Sequence, residues 1–320
     1  MKKTIALTFV IFSFLCVSYL GFRFTYADDG NRIASPLPKF LTSFENKQVT
    51  TLDIWKPFLS WFENKKLKEP ELTARSVLMY SLTDDKITFE KDSDKKIPMA
   101  SLTKVMTAII ALENPKPDDK YLVRNEYLVG ESTMGLKAGE VLSLEELLYG
   151  LILHSGNDAS ETIAGGFPGG RLKFIQAMND KAKSLGLKTT NFTNPSGLEG
   201  NGDQYSTATE LLVIARYALL KFPTFSRVVA TPEYHIKKTS IHPEYFLTNE
   251  TNLLTTYPGV KGVKTGYTTE AGFCLITFLD YKGHRIIGIL LGSENRRQEM
   301  RELLDYSLKT LSIEPPEPNQ

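Results

Sequence analysis

One stretch of the sequence decides how the rest is interpreted: Ile97-Pro98-Met99-Ala100-Ser101-Leu102-Thr103-Lys104-Val105-Met106. It carries a Ser-x-x-Lys motif at the start of a predicted helix. Positions i and i+3 share one face of a helix, so the hydroxyl of Ser101 and the amine of Lys104 can meet. A lysine made less basic by burial or by another cation can take the serine proton, and the N–H groups at a helix start suit a developing oxyanion. The stretch therefore predicts a nucleophilic serine with a lysine base.

The Ser-x-x-Lys spacing alone is a weak signal. Ser93-Asp94-Lys95-Lys96 also fits it, and its charged residues predict a solvated loop. Ser101 differs because Ile97-Pro98-Met99-Ala100 and Val105-Met106 place it at the edge of an apolar core. The nucleophile is therefore assigned to Ser101.

Two further motifs follow in chain order. Ser155-Gly156-Asn157 comes after a predicted helix, in a loop that can aim a hydroxyl and an amide into a cleft. In Lys264-Thr265-Gly266, on a predicted apolar strand, Lys264 and Thr265 offer a cation and a donor to a carboxylate, and Gly266 lets a substrate backbone approach the strand. Ser-x-x-Lys, Ser-x-Asn and Lys-Thr-Gly in this order form the signature of penicillin-binding proteins and class A β-lactamases.

The rest of the chain predicts an α+β domain. Turn residues and apolar runs predict strands, the first two forming a β-hairpin, at residues 76–82, 86–90, 262–267, 273–279 and 285–291. Apolar residues at helical spacing predict helices at residues 102–112, 143–153, 171–185, 207–220 and 296–311. The second of these helices begins with a capping box at Ser143. Strands at both ends with helices between them predict a single antiparallel sheet that both ends of the domain complete.

The residues around the three motifs closely resemble one family, the low-molecular-weight penicillin-binding proteins that are D-alanyl-D-alanine carboxypeptidases, the S11 serine peptidases. The resemblance covers residues 75–311. It is carried by residues 100–104, 134–140, 147–151, 155–159, 194–198 and 262–268. It implies a β-lactamase/transpeptidase-like fold, in which a helical lobe packs on a five-stranded antiparallel sheet.

The resemblance also implies a catalytic role for four side chains. Ser101 would attack the carbonyl of the penultimate D-Ala, with Lys104 as the general base. Ser155 would relay the proton to the leaving amine. Asn157 would hold Lys104 and the substrate amide.

Substrate binding is expected on the late strand. Lys264 and Thr265 would bind the terminal carboxylate, with Gly266 beside them, and the backbone N–H groups of Ser101 and Tyr267 would form the oxyanion hole by resemblance. Many relatives have an additional arginine for the carboxylate shortly after a Tyr-Ser-Thr-Ala stretch. This chain has Thr209 at that point, and the sequence does not indicate which residue replaces the arginine.

The sequence is therefore interpreted as an exported serine-type D-Ala-D-Ala carboxypeptidase that trims peptidoglycan stem peptides in the cell wall. β-Lactam antibiotics are expected to be covalent inhibitors. No cofactor is expected.

Three alternatives remain open. A DD-endopeptidase would use the same acylation chemistry with a different pocket. A class A β-lactamase needs a loop glutamate for deacylation, and the acidic candidates Glu161, Asp180 and Glu199 stand in no recognised pattern. A non-catalytic cell-wall-binding or β-lactam-sensing module would not need both Ser101 and Lys104.

The N-terminus predicts export. Lys2 and Lys3 precede an uncharged, largely apolar run at residues 4–22. This run is either a signal peptide cleaved after Ala27 or a membrane anchor. The predicted organisation is residues 1–27 for this leader, 28–70 for a linker or stalk, 71–311 for the catalytic domain and 312–320 for a flexible tail.

The stalk contains both tryptophans of the chain, within residues 54–62. This segment is interpreted either as a helix packed on the domain or as a membrane-interface segment. Relatives often continue into a β-rich C-terminal domain with an anchoring helix. Here the last predicted helix is followed by a short acidic tail, so attachment is expected through residues before about 70.

Composition excludes other classes of function. The chain has 320 residues, with 38 basic and 37 acidic side chains and a net charge of +1, which does not favour nucleic-acid binding. The cysteines, Cys16 and Cys274, are too few for a disulfide framework or a zinc cluster. Cys274 is expected to be a small apolar side chain in a strand. The histidines, which show no metal-ligand spacing, are His154, His235, His242 and His284.

Overall fold

The structure, a computed structural model, describes Trp55, Pro57, residues 67–199 and residues 203–317. Its strands are β1 (Ser76–Ser81), β2 (Lys86–Lys91), β3 (Tyr121–Leu122), β4 (Val141–Leu142), β5 (Glu233–Ile236), β6 (Tyr245–Thr248), β7 (Val260–Thr268), β8 (Gly272–Tyr281) and β9 (His284–Ser293). Five of them form an antiparallel sheet in the order β2-β1-β9-β8-β7. The predicted α+β class and the predicted sheet, completed by the first and last strands of the domain, are confirmed.

Helices cover both faces of this sheet. They are α1 (Lys104–Glu113), α2 (Leu144–Leu153), α3 (Asn157–Gly165), α4 (Gly170–Ser184), α5 (Ala208–Lys221), α6 (Pro223–Val229), α7 (Leu253–Thr256) and α8 (Arg296–Thr310), with short 3-10 turns at Ala100–Thr103 and Asn125–Tyr127. The five predicted helices match α1, α2, α4, α5 and α8 to within two residues at each end. β3 with β4 and β5 with β6 form small two-stranded sheets that the sequence analysis did not predict.

The sheet separates two apolar cores. Successive residues of a strand point to opposite faces, and β1 shows this alternation directly. Leu78 and Tyr80 join the large core of the helical lobe, whereas Val77 and Met79 join the smaller core beneath α8. Every residue of β1 is buried for this reason.

The predicted capping box explains where α2 begins. The hydroxyl of Ser143 accepts a hydrogen bond from the backbone N–H of Glu146 at 3.3 Å, and the Glu146 carboxylate accepts one from the backbone N–H of Ser143 at 2.8 Å. These bonds satisfy two donors at the helix start that would otherwise lack partners. α2 ends at Leu153, two residues before Ser155, so the helix delivers the Ser-x-Asn motif to the edge of the lobe.

The end of α1 is fixed by a buried polar cluster. The Lys181 amine of α4 lies 2.7 Å from a Glu113 carboxylate oxygen, and the Tyr217 hydroxyl of α5 donates to the same oxygen at 2.6 Å. Burial and the Glu113 carboxylate raise the pKa of Tyr217 well above its ordinary value. Because breaking a buried ion pair leaves an uncompensated charge, this cluster holds two helices, α4 and α5, in one arrangement around α1.

The predicted leader at residues 1–27, Cys16 and most of the predicted stalk lie outside the described residues. Trp55 is described, and its ring packs edge-on against Tyr80, with ring centroids 5.5 Å apart. The Arg216 guanidinium lies 4.2 Å from the centre of the Trp55 ring. For Trp55 these contacts agree with a segment packed on the domain, while the limits of the predicted regions stay predictions. No helix within residues 67–199 and 203–317 is long and apolar enough to cross a bilayer.

Candidate active site

Ser101 and Lys104 lie at the junction of a 3-10 turn and a helix. Ser101 belongs to the Ala100–Thr103 turn, and Lys104 is the first residue of α1. The Lys104 amine is 2.9 Å from the Ser101 hydroxyl oxygen. Lys104 is fully buried, whereas Ser101 is half-buried and remains accessible from the surface. The predicted contact is therefore present, although Ser101 lies in a 3-10 turn, which is slightly tighter than the predicted α-helix.

Two carbonyl oxygens complete the surroundings of the Lys104 amine. The side-chain oxygen of Asn157 and the backbone oxygen of Ser196 each lie 2.7 Å from it. A neutral amine has two N–H donors and one lone pair. The two carbonyls can accept both N–H groups, which leaves the lone pair for the proton of Ser101.

The charge state of Lys104 is set by its environment. Burial lowers the pKa of this amine well below its usual range, and the positive charge of Lys264 lowers it further, whereas the carboxylates of Glu250, Asp158 and Glu161 oppose the shift. Burial penalises the charged form of any amine, so the neutral form is favoured here. The site therefore holds an amine suited to act as a base.

The Ser-x-Asn motif turns the chain from α2 into α3. Ser155 is buried and has a φ of +53°, a backbone conformation that residues other than glycine seldom adopt. Asn157 begins α3, and its backbone N–H donates to the carbonyl of Ser132 at 2.7 Å. Next to it the buried carboxylate of Asp158 accepts from three successive backbone N–H groups, those of Met134, Gly135 and Leu136. These bonds fix the loop that holds Asn157 against Lys104.

A second loop, residues 194–197, supplies the carbonyl of Ser196. The side-chain oxygen of Asn194 accepts from the backbone N–H groups of Ser196 at 3.1 Å and Gly197 at 2.7 Å, which folds the loop into a tight turn. Gln204 ties this loop to the catalytic turn, since its amide donates to the Thr103 hydroxyl at 3.0 Å and its oxygen accepts from the Asn194 N–H. The sequence analysis gave this loop no role, because a backbone carbonyl leaves no side-chain signal.

Gly197 is the residue of this loop that tolerates least change. Its φ is +90°, and a Cβ placed there would lie 2.1 Å from the carbonyl oxygen of Ala100, immediately before Ser101. We expect Gly197→Ala to displace the catalytic turn and to slow penicillin acylation about 100-fold, the scale expected for a misplacement of about 1 Å. The second-order acylation rate measures this effect.

Gly139→Ala is the matched control for this prediction. Gly139 has nearly the same φ, +92°, but a Cβ there meets nothing within 4 Å. We expect this variant to lose about 1–2 kcal/mol of stability from the left-handed backbone and to be acylated at the normal rate. Equal acylation defects in the two variants would mean that backbone strain, and not contact with Ala100, accounts for the effect.

Lys264-Thr265-Gly266 lies on β7, paired with β8 through Lys264 and Ile276. Lys264 is fully buried, and its amine has no hydrogen-bond partner among the described residues. Burial lowers its pKa to about 8, Arg296 acts in the same direction, and Glu250 opposes both. An unpartnered buried cation is costly unless an anion binds it, so this amine suits an anionic ligand.

Gly266 brings β7 against the catalytic turn. A Cβ there would lie 3.0 Å from the backbone nitrogen of Ser101 and 3.1 Å from the Cβ of Ala100. The group that lies close to Gly266 is thus the turn that carries Ser101, whereas the expected approach of a substrate backbone stays a prediction. Tyr267 follows on the surface, with its ring centroid 4.6 Å from that of Phe273.

A cleft of about 210 Å³ opens beside the turn that carries Ser101, lined in part by Ala100, Gly197 and Thr268.

Arg296 is a basic residue of the site that the sequence analysis missed. It begins α8, and its guanidinium donates to the carbonyl of Gly266 at 2.9 Å. Thr209, where many relatives place an arginine, instead donates its backbone N–H to the carbonyl of Ser93 at 3.1 Å. Ser93 itself is buried and bonded to Glu90, whereas Asp94, Lys95 and Lys96 are exposed as predicted for a solvated loop.

The sequence predicts neither a reactive cysteine nor a metal site. Cys274 lies on β8, buried as expected, and burial raises the pKa of its thiol to about 11. A protonated thiol of this kind is unreactive at neutral pH. Among residues 67–199 and 203–317, no group of three His, Cys, Asp or Glu side chains is arranged to hold a metal ion.

Comparisons with known proteins agree on one family. A family described as D-alanyl-D-alanine carboxypeptidase, Peptidase_S11, matches residues 63–295. The chain is 32% identical to the D-alanyl-D-alanine carboxypeptidase DacF of Bacillus subtilis, over 79% of this chain and 67% of that protein. It is 31% identical to the D-alanyl-D-alanine endopeptidase of Pseudomonas aeruginosa, over 65% of this chain and 67% of that protein. The crystal structure of the Streptomyces K15 DD-transpeptidase superposes with a TM-score of 0.71 at 30% identity, covering 76% of this chain and all of that one.

Proposed function

The chain belongs to the S11 family of D-alanyl-D-alanine carboxypeptidases, which are serine-type hydrolases, and we propose that it releases the terminal D-Ala of peptidoglycan stem peptides through an ester on Ser101. The observation that carries this proposal is the 2.9 Å contact between the Ser101 hydroxyl and a buried amine whose pKa is lowered. The predicted family and fold are confirmed. The roles of individual residues are proposed from the geometry.

Acylation begins when Lys104 takes the proton of Ser101. The serine oxygen attacks the carbonyl carbon of the penultimate D-Ala and forms a tetrahedral oxyanion. The backbone N–H groups of Ser101 and Tyr267 bind this oxyanion. The C–N bond then breaks, Ser155 relays a proton to the departing amine, and free D-Ala leaves. Asn157 holds Lys104 in line through its side-chain oxygen, and its NH2 group donates to the carbonyl of the substrate amide.

Deacylation reverses the roles of these groups. A water molecule gives a proton to Lys104 and attacks the ester carbonyl, the Ser101–acyl bond breaks, and the serine oxygen regains a proton. The shortened peptide leaves with a new carboxylate. The cleft beside Ala100 and Gly197 is where the acyl part of the stem peptide would lie during both steps.

The terminal carboxylate of the substrate binds on β7 in this proposal. Lys264 supplies a buried cation without a hydrogen-bond partner among the described residues, and Thr265 supplies a hydroxyl donor. Arg296, bonded to Gly266, takes the place of the arginine that many relatives have near the position of Thr209. The cations of Lys264 and Arg296, together with the Thr265 hydroxyl, suit a single carboxylate.

β-Lactams react at the same residue. Their strained amide carries a carboxylate at a position comparable with that of D-Ala-D-Ala, so Ser101 attacks it and forms an ester. The amine that is released stays tethered, so it continues to occupy the leaving-group side of the site. Slow hydrolysis of this ester explains covalent inhibition.

Enzymes of this family act on the cell wall, outside the cytoplasmic membrane. We propose that residues 4–22 direct export of this chain and then retain it as an anchor, because this uncharged run is close to the length that spans a bilayer. The N-terminus of the protein isolated from cells tests this part of the proposal. Cleavage after Ala27 together with a freely soluble protein would contradict it.

The pKa of Lys264 gives the reaction a specific pH dependence. With a pKa of about 8, Lys264 is charged below pH 8 and loses its charge above it. We expect kcat/KM for a peptide with a free terminal carboxylate to fall above about pH 8, since kcat/KM reports groups of the free enzyme. Lys264→Arg keeps its charge at alkaline pH, so some activity should remain and the fall should move to higher pH. An unchanged alkaline limb in this variant would assign it to another group.

The products of two defined substrates test the proposed function. A stem pentapeptide ending in D-Ala-D-Ala and a cross-linked dimer are incubated with the enzyme, and the products are identified by mass spectrometry. We expect the pentapeptide to yield tetrapeptide and free D-Ala. The similarity to the Pseudomonas aeruginosa endopeptidase favours endopeptidase activity as the second candidate, and cleavage of the dimer alone would establish that function instead.

A further inference from the structure

A carboxylate of the protein itself lies at the proposed binding position of the substrate carboxylate. Thr265 donates its hydroxyl to a carboxylate oxygen of Glu250 at 3.3 Å. The hydroxyl assigned to the substrate is therefore engaged by a carboxylate of the protein itself. The sequence analysis gave Glu250 no role, because it lies 15 residues before Thr265 and in no motif.

The backbone around Glu250 is held in place. Its N–H donates to the carbonyl of Leu153, the last residue of α2, at 3.1 Å. Its own carbonyl accepts from the N–H of Asn252 at 3.1 Å, and the side chain of Asn249 accepts from the N–H of Thr251 at 2.9 Å. Glu250 is thus fixed between the end of the helix that precedes Ser155 and the strand that carries Lys264.

The Glu250 side chain faces a small cleft on the carboxylate side of the site. The cleft has a volume of about 60 Å³, and its lining includes Glu250, Thr265, Leu275 and Arg296. Glu250 is largely exposed, so its carboxylate can leave Thr265 and turn into solvent. The contact is therefore one that a ligand can displace.

The cations around Glu250 are the ones proposed to bind the substrate carboxylate. Its carboxylate opposes the lowering of the pKa of Lys264 and of Arg296, and it acts in the same way on Lys104. Its charge therefore acts on all three basic groups, and with Arg296 it lines the same cleft. A substrate carboxylate at Thr265 would meet the same cations together with a like charge, and two neighbouring carboxylates repel each other.

We propose that Glu250 is a specificity-determining residue that competes with the terminal carboxylate of the substrate for Thr265 and its neighbouring cations. This inference rests on the proposed function. Glu250 weakens the preference of the enzyme for a leaving group with a free carboxylate. Glu250 lowers the cleavage efficiency less for peptides in which that carboxylate is absent or blocked, as in an amide.

Two peptides with the same acyl half test this competition. One ends in D-Ala-D-Ala with a free carboxylate and the other in the corresponding carboxamide, and kcat/KM is measured for both. We expect Glu250→Gln to raise the ratio of carboxylate to carboxamide cleavage about tenfold, the scale of one partly screened like-charge contact. Asp280→Asn removes another exposed carboxylate, near the end of β8 and outside the lining of both clefts, and should leave the ratio unchanged.

The outcomes separate this inference from the proposed function. If the wild type forms a penicillin ester and cleaves peptide, but Glu250→Gln leaves the ratio unchanged, the competition is refuted and the proposed function stands. A long-lived penicillin ester together with slow cleavage of both peptides in Glu250→Gln would identify Glu250 as a deacylation base and also refute it. If the wild type forms no ester and cleaves neither peptide, the proposed function itself fails.

Discussion

Ser101→Ala is expected to abolish the covalent penicillin adduct. The alanine has no oxygen to form the ester, and among residues 67–199 and 203–317 no other hydroxyl is hydrogen-bonded to a buried amine of lowered pKa. Intact-mass analysis of the wild type after incubation with benzylpenicillin should show one adduct, and the Ser101 variant should show none. We expect complete loss of the adduct and not merely its slower formation.

Ser93→Ala is the matched control for this experiment, because Ser93 begins the other Ser-x-x-Lys sequence. Its hydroxyl is bonded to Glu90, on the side of the domain where Thr209 lies. We expect this variant to form the adduct normally. An adduct that persists in Ser101→Ala and disappears in Ser93→Ala would identify Ser93 as the nucleophile and contradict the assignment to Ser101.

Lys104→Arg is expected to be nearly as damaging as Lys104→Ala. Arginine keeps the positive charge but does not lose its proton in the usual pH range, so it cannot act as a base. The larger guanidinium must also fit a fully buried position between Asn157 and the Ser196 carbonyl. We expect a reduction of at least about 10³-fold in the acylation rate at pH 7, from the loss of general base catalysis and correct geometry.

The acylation rate with a chromogenic cephalosporin, measured at pH 7 and pH 9, tests this prediction. Thermal unfolding of the same samples shows whether the variants remain folded. Lys264→Arg is the comparison, since its proposed task is attraction of a carboxylate and an arginine retains part of it. Near-normal acylation by Lys104→Arg would show that Lys104 acts only through its charge.

Local spacing accounts for the parts of the site that the sequence predicts. Ser101 and Lys104 are three residues apart, and a single helical turn is enough to bring them to 2.9 Å. The capping box at Ser143 is equally local and sets the start of α2. For these features the spacing along one turn of backbone is enough to predict the contact.

Long-range packing accounts for what the sequence analysis missed. Arg296 lies 30 residues from Gly266 and reaches it only because β8 and β9 return the chain to the same end of the sheet. The Ser196 carbonyl has no side-chain signature. Helix α3 was missed because its buried positions include Asp158, Ser160 and Thr162, so its inner face has no apolar periodicity.

The most direct test of the account is to trap the peptide ester itself. The enzyme is mixed with a stem pentapeptide and quenched with acid within milliseconds to seconds, and the acylated residue is located by peptide mapping. The account predicts an adduct with the mass of the tetrapeptide acyl group on Ser101, absent from Ser101→Ala and formed more slowly in Lys104→Arg. D-Ala release without any adduct on Ser101, or an adduct on another residue, would contradict it.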